Sequence, residues 1–192
     1  PGEATGQSTA GTPANINYRG NFKGGGSLSF YKRKEVIGNA TLYLGDCLPV
    51  MAQFKNQEID AVVTDPPYGI GVCSSGVVGG GEKGRGDARA TVTDFSPTEW
   101  DRKTPTLKYF IQIKRIATHQ VIFGGNYFPV EPSSCWLVWD KCNAGTKFAD
   151  CELAWTNLKT AVRKIKYRWN GMLQENMKDK EVRVHPTQKP VK

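Results

Sequence analysis

The chain has 192 residues, 39% of them hydrophobic, enough for one folded domain with a core of its own. Its 26 basic and 18 acidic side chains give 26 − 18 = +8, an excess that favours a polyanionic partner such as nucleic acid. Five cysteines at irregular spacing, no Cys-x-x-Cys pair and only two histidines argue against a disulfide framework or a metal site, and no apolar run nears the ~20 residues that cross a bilayer. These features together read as a reduced, cytoplasmic protein with no membrane partner.

Residues 1–35 are rich in Gly, Ser, Thr, Ala and Asn and lack periodicity, so they are expected to form a flexible leader. "ATLYLGDC" (40–47) reads as a strand closing on Gly45-Asp46. A short helix is predicted in "LPVMAQFKNQ", with Leu48, Met51, Ala52 and Phe54 facing inward. Ile59, Ala61, Val62 and Val63 then form a buried strand ended by Asp65-Pro66-Pro67-Tyr68, which completes a predicted strand–helix–strand unit.

Residues 71–94 hold little packing material and predict a long loop carrying Lys83, Arg85 and Arg89. Its "GGGEKGRG" is not a phosphate loop, because Arg85 stands where lysine is required. Ser96, Pro97 and Glu99 signal a helix start, Pro105 interrupts, and helical spacing resumes after it. "QVIFGGNYF" is a buried strand ending at Gly124-Gly125. "SCWLVWDK" and "CELAWTNL" read as two neighbouring strands, with Trp136, Trp139 and Trp155 in the core. The expected fold class is α/β with a largely parallel sheet and a ligand crevice at the carboxyl ends of its strands. From Leu158 onward ten basic residues face three acidic ones, 10 − 3 = +7, so most of the positive charge sits in the last stretch.

The segment Asp65-Pro66-Pro67-Tyr68 concentrates acceptors. Proline carries no N–H, so the turn offers the Asp65 carboxylate and the Pro66 carbonyl in a stiff frame, beside the flat ring of Tyr68. Two acceptors next to a stacking surface suit a planar ring bearing an exocyclic amine. Holding both amine hydrogens draws the nitrogen lone pair out of conjugation and makes it nucleophilic. The plain alternative is a strand-ending turn.

"TDPPYG", with "LYLGDCL" before it and "HPTQKPV" (185–191) after it, resembles the β-class DNA amino-methyltransferases; "WLVWDK" and "FADCELAWT" are similar to their phage and prophage members. The resemblance runs from about Val36 to Lys192. It implies a Rossmann-like fold dependent on S-adenosyl-L-methionine, double-stranded DNA as partner, and methylation of adenine N6, which Asp rather than Ser before the prolines favours. It also implies a restriction–modification setting and leaves homodimer formation open. Asp65, Pro66, Pro67 and Tyr68 would be catalytic, with Tyr68 stacking on a base flipped from the duplex and Phe148 a second wall. Asp46, Thr187, Gln188 and Lys189 would hold the cofactor, Lys189 as partner of a carboxylate; Asp46 equally suits a helix N-cap. Residues 157–184 would recognise the target, with Lys164, Lys166, Arg168 and Trp169 contacting DNA. In the family a glycine-rich cofactor block follows HPTQKP. The expectation is therefore an incomplete catalytic domain over 36–192, lacking the first cofactor-binding strand and its glycine loop. It would have an open sheet edge and bind cofactor weakly. The alternatives are N4-cytosine methylation, an inactive DNA-binding fragment, and methylation of an RNA base or glutamine amide.

Overall fold

The computed structural model describes residues 30–71, 77–78, 93–94, 99–142, 149–170, 173–182, 184–185 and 187–191. It divides into two units, Pro1–Gly45 and Asp46–Lys192.

The first unit contains an antiparallel hairpin of β1 (Arg33–Ile37) and β2 (Ala40–Leu44), paired from Arg33↔Leu44 to Ile37↔Ala40. The loop is Gly38-Asn39, and Gly38 has φ +56°, the left-handed conformation that two-residue hairpin turns demand. This corrects two expectations. The segment expected as leader ends in strand β1, and among the described residues β2 pairs with β1 and not with the large sheet, so the expected strand–helix–strand unit from residue 40 to Asp65 does not form. A two-residue turn closes far more easily than a parallel crossover.

The second unit is built on a five-stranded sheet in the order β3-β6-β8-β7-β9. Its strands are β3 (Ile59–Thr64), β6 (Ala117–Phe123), β7 (Trp136–Asp140), β8 (Cys151–Thr156) and β9 (Arg163–Lys166). β4 (Val77–Val78) and β5 (Thr93–Asp94) pair with each other, as do β10 (Trp169–Asn170) and β11 (Leu173–Gln174). β3 and β6 are parallel, β8 is antiparallel to both β6 and β7, and β7 and β9 are parallel. Four strands therefore run one way and β8 alone runs the other. The sheet is mixed where a largely parallel one was expected, because β7 and β8 meet as the neighbours foreseen. Among the described residues β3 pairs only with β6 and is an edge strand; this corrects the expectation of a buried strand, since none of its residues is fully buried and Val63 is 68% exposed.

The helices are few. α1 (Cys47–Met51) is shorter than predicted; Asp46 caps it, accepting the Leu48 N–H at 2.9 Å. α2 (Leu107–Ile116) starts after Pro105 as anticipated and buries Phe110, Ile113 and Ile116. Met51, Ile113, Ile116 and Ala117 form one core cluster, with Leu48, Phe54, Ile59 and Val62 packed on it. Phe110, Ile122, Phe128 and Trp155 form a second, against which Tyr68 and Trp136 pack. Ser96 and Pro97 lie outside the described residues.

At the end of β6 the backbone comes so close to Trp155 that a Cβ on Gly125 would lie 2.4 Å from the Trp155 Cβ. Gly125→Ala is expected to lower stability by about 1–3 kcal/mol, the typical cost of overpacking. The urea midpoint of the full chain checks this, and an unchanged midpoint would contradict the close packing.

Candidate functional site

Asp65-Pro66-Pro67-Tyr68 leaves the sheet where β3 ends, beside the end of β6, since Thr64 pairs with Ile122 in the parallel ladder. The peptide groups that follow the prolines are clamped. Asp101, 4% exposed, accepts the Tyr68 N–H at 3.0 Å and the Gly69 N–H at 3.3 Å on one carboxylate oxygen. The Asp101 carbonyl accepts the Gly71 N–H at 2.9 Å. A buried acid thus satisfies donors that a strand-ending loop leaves over.

The Tyr68 hydroxyl donates to Asp65 Oδ1 at 2.8 Å. Its ring stacks on Tyr127, with centroids 4.9 Å apart and planes 15° from parallel, and meets Phe128 edge-on at 6.1 Å. Gly124 makes room for this: it has φ +68°, and a Cβ there would fall 2.2 Å from the Tyr68 ring. The next three residues, Gly125–Tyr127, form the short 3-10 turn that presents Tyr127. Burial foremost, then the neighbouring Asp65 carboxylate, push the Tyr68 phenol far above its ordinary pKa. At neutral pH it stays protonated and serves Asp65 as a donor.

Lys189 reaches the same point from the far end of the chain. Its Nζ lies 3.1 Å from Asp65 Oδ2 and also bonds Glu152 Oε2. The ammonium sits over three rings, 5.5 Å from the Phe123 centroid, 5.7 Å from Trp139 and 5.8 Å from Tyr68. Glu152 Oε1 accepts from Lys141 Nζ at 2.7 Å. Two carboxylates and two ammoniums so form a neutral set. Burial opposes ionisation of Glu152, yet Lys189 and Lys141 outweigh it and hold the carboxyl below its ordinary value. The register explains the convergence: Glu152 pairs with Trp139 across β8 and β7, at the end of the sheet where β3, β6 and β7 all finish.

The other expected residues divide. Asp46 serves as the N-cap of α1. Burial raises the pKa of the Tyr109 hydroxyl, against the lowering effect of its 2.8 Å hydrogen bond with Thr64 Oγ1. Thr187 and Gln188 do not reach Asp65: Thr187 bonds His185 Nδ1, and Gln188 accepts the Val184 N–H at 2.8 Å. For S-adenosyl-L-methionine the donor set fits in part. Lys189 and Asp46 have the charge that a carboxylate and an amine seek, but Lys189 is paired with Asp65 and Glu152 and Asp46 caps α1, just as Thr187 and Gln188 are spent on their own turn.

Residues 157–184 do not stand apart from the sheet, because β9 within them is its fifth strand. All four β9 residues are exposed, and Lys164 pairs with Asp140 at 2.8 Å. The hydrogen bond that Lys164 donates to Asp140 raises the pKa of the ammonium and lowers that of the carboxyl. Lys166 and Arg168 are likewise exposed. Trp169 corrects the expectation of DNA contact: it is 6% exposed, and its indole N–H donates to the Gln188 carbonyl at 2.8 Å. It holds the chain next to Lys189. Phe148, Lys83, Arg85 and Arg89 lie outside the described residues.

Five site residues escaped sequence reasoning: Asp101, Phe123, Tyr127, Lys141 and Glu152. The signal for Glu152 was its place as a lone acid in the otherwise apolar "CELAW", and for Tyr127 the glycine pair that precedes it. No protein-family model matches the chain, and neither does any curated protein or solved structure.

Two outcomes follow for stability. A depressed native pKa means that Glu152 stabilises the fold above the ordinary glutamate value, near pH 4.5, and that this contribution disappears as pH falls through the lower native value. Urea midpoints measured from pH 7 downward should fall more steeply for the native chain than for Glu152→Gln; parallel curves would contradict the assignment. Asp101→Ala leaves two loop N–H donors without their acceptor and is expected to cost about 1–3 kcal/mol. Hydrogen exchange should show Tyr68 and Gly69 amides exchanging faster, and unchanged rates would refute the clamp.

Proposed function

We propose that the chain acts as a DNA amino-methyltransferase on adenine N6, with S-adenosyl-L-methionine as methyl donor. The observation that carries this reading is the meeting of Asp65-Pro66-Pro67-Tyr68 with Lys189, two blocks far apart in sequence, at the carboxyl ends of the strands. Ligand crevices of open α/β sheets lie at such ends.

The chain's own groups have distinct tasks in this reaction. Asp65 and the Pro66 carbonyl accept the two hydrogens of the adenine amine, which turns its lone pair out of the ring system. The Tyr68 hydroxyl, donating to Oδ1, fixes how the carboxylate faces that amine. Tyr127 stacks on one face of Tyr68, and the extruded base would stack on the ring beside Asp65 once the Lys189 ammonium over it has moved. Stacking there returns roughly 1–3 kcal/mol of the cost of unstacking. Asp46 and Lys189 are the groups that would hold the cofactor, which when bound supplies an electrophilic methyl. Asp in place of Ser at position 65 favours adenine over cytosine. The exposed basic strand β9, which ends in Lys166, and the exposed Arg168 beyond it supply charge for duplex phosphates.

Transfer of labelled methyl groups to mixed-sequence duplex DNA tests the reading. With S-adenosyl-L-methionine in large excess, the native chain is expected to label N6 of adenine, and Asp65→Ala to lose about 10²–10³-fold in rate. Label in Asp65→Ala at the native rate, or none from the native chain, would overturn it. Binding of duplex DNA should weaken with salt at about 0.9 per phosphate contacted in log units. Replacing Lys166 and Arg168 by alanine should flatten that dependence; an unaltered slope would remove β9 from the interface.

A further inference from the structure

The ammonium of Lys189 stands where the target amine has to go. It lies 3.1 Å from Asp65 Oδ2 and over the Tyr68 ring, which are the acceptor and the stacking surface assigned to the base. Asp65 Oδ1 is already engaged by the Tyr68 hydroxyl, so Lys189 occupies the other oxygen of the same carboxylate. The hold on Lys189 is composite. Glu152 Oε2 bonds the same ammonium, and the rings of Phe123 and Trp139 lie 5.5 and 5.7 Å from it. Glu152 is itself fixed by Lys141 at 2.7 Å.

We propose that Lys189 is an internal plug: its ammonium substitutes for the amine donor on Asp65 and must withdraw before a planar amine can be gripped. The proposal rests on the reading of Asp65 as an amine acceptor. Its physical content is competition. A primary ammonium and an exocyclic amine are both N–H donors seeking one carboxylate, and a tethered donor is present at high local concentration. A ligand that needs the withdrawn state binds with an apparent Kd raised by the inverse of that state's population. The withdrawn ammonium is then free to meet an anionic group, so release of Asp65 and capture of a carboxylate are two ends of one movement. Glu152 is the positioning residue of this device, since it holds Lys189 in that place.

The test is adenosine binding to the full chain, followed by isothermal titration, with native protein, Lys189→Met, Glu152→Gln and Asp65→Asn. Lys189→Met keeps the length of the side chain and removes the donor. It is expected to bind adenosine about tenfold tighter than the native chain, the gain for a plug seated roughly nine-tenths of the time. Glu152→Gln keeps the ammonium but loosens it, and should gain less. Asp65→Asn should bind weakest. Equal or weaker binding by Lys189→Met, with Asp65→Asn still impaired, would overturn the plug and leave the amine-acceptor reading standing. Adenosine bound equally by Asp65→Asn and native chain, or by none of the four, would remove that reading and the plug with it. If Lys189→Met loses its circular dichroism, Glu152→Gln decides alone: no gain over the native chain counts against the proposal.

Discussion

An ammonium held between two carboxylates at the end of a sheet is the interaction on which the site depends. Lys189 joins Asp65, which ends β3, to Glu152 near the start of β8, and so ties the tail of the chain to the centre of the second unit. Taking charges out of water is costly, and an ion pair of this kind persists only where the remaining bonds are well made. Here they are: Lys141 satisfies the second oxygen of Glu152, Tyr68 satisfies Oδ1 of Asp65, and the ammonium lies over three aromatic rings.

The scaffold around that interaction is arranged to keep it in place. Asp101 clamps the loop after the two prolines, and Gly124 lets Tyr68 close down on Tyr127. Trp169 pins the Gln188 carbonyl, one residue from Lys189. Each contact joins segments distant in sequence. The direction of the strands does the rest, since three parallel strands deliver Asp65, Phe123 and Lys141 to one end of the sheet. Such positioning is what a group must have if it is to grip a substrate atom in a fixed direction.

Much of this was legible in the chain. The β-branched run before Asp65 and the prolines after it mark a strand that stops, because proline cannot continue a ladder. The tryptophan-rich segments that became β7 and β8 were legible as neighbours for the same reason of alternation and β propensity. The hairpin β1–β2 was misread although its signal was present: Gly38-Asn39 is a two-residue turn, and a local turn wins over a longer crossover. Trp169 could not be placed from sequence, because an aromatic among lysines reads the same whether it faces DNA or a carbonyl. Thr187 and Gln188 share that ambiguity, their side chains being absorbed by their own turn. Glu152 and Asp101 were out of reach because the partner that gives a buried acid its meaning is chosen by strand register, not by spacing along the chain.

The claim beneath all of this is that Asp65 and Lys189 are energetically coupled in the folded chain. A double-mutant cycle of Asp65→Asn and Lys189→Met, read by urea unfolding at neutral pH, measures that coupling directly. The account predicts a non-additive term above about 0.5 kcal/mol, in the range seen for residues that share a network. Additive effects, with no coupling beyond error, would contradict it.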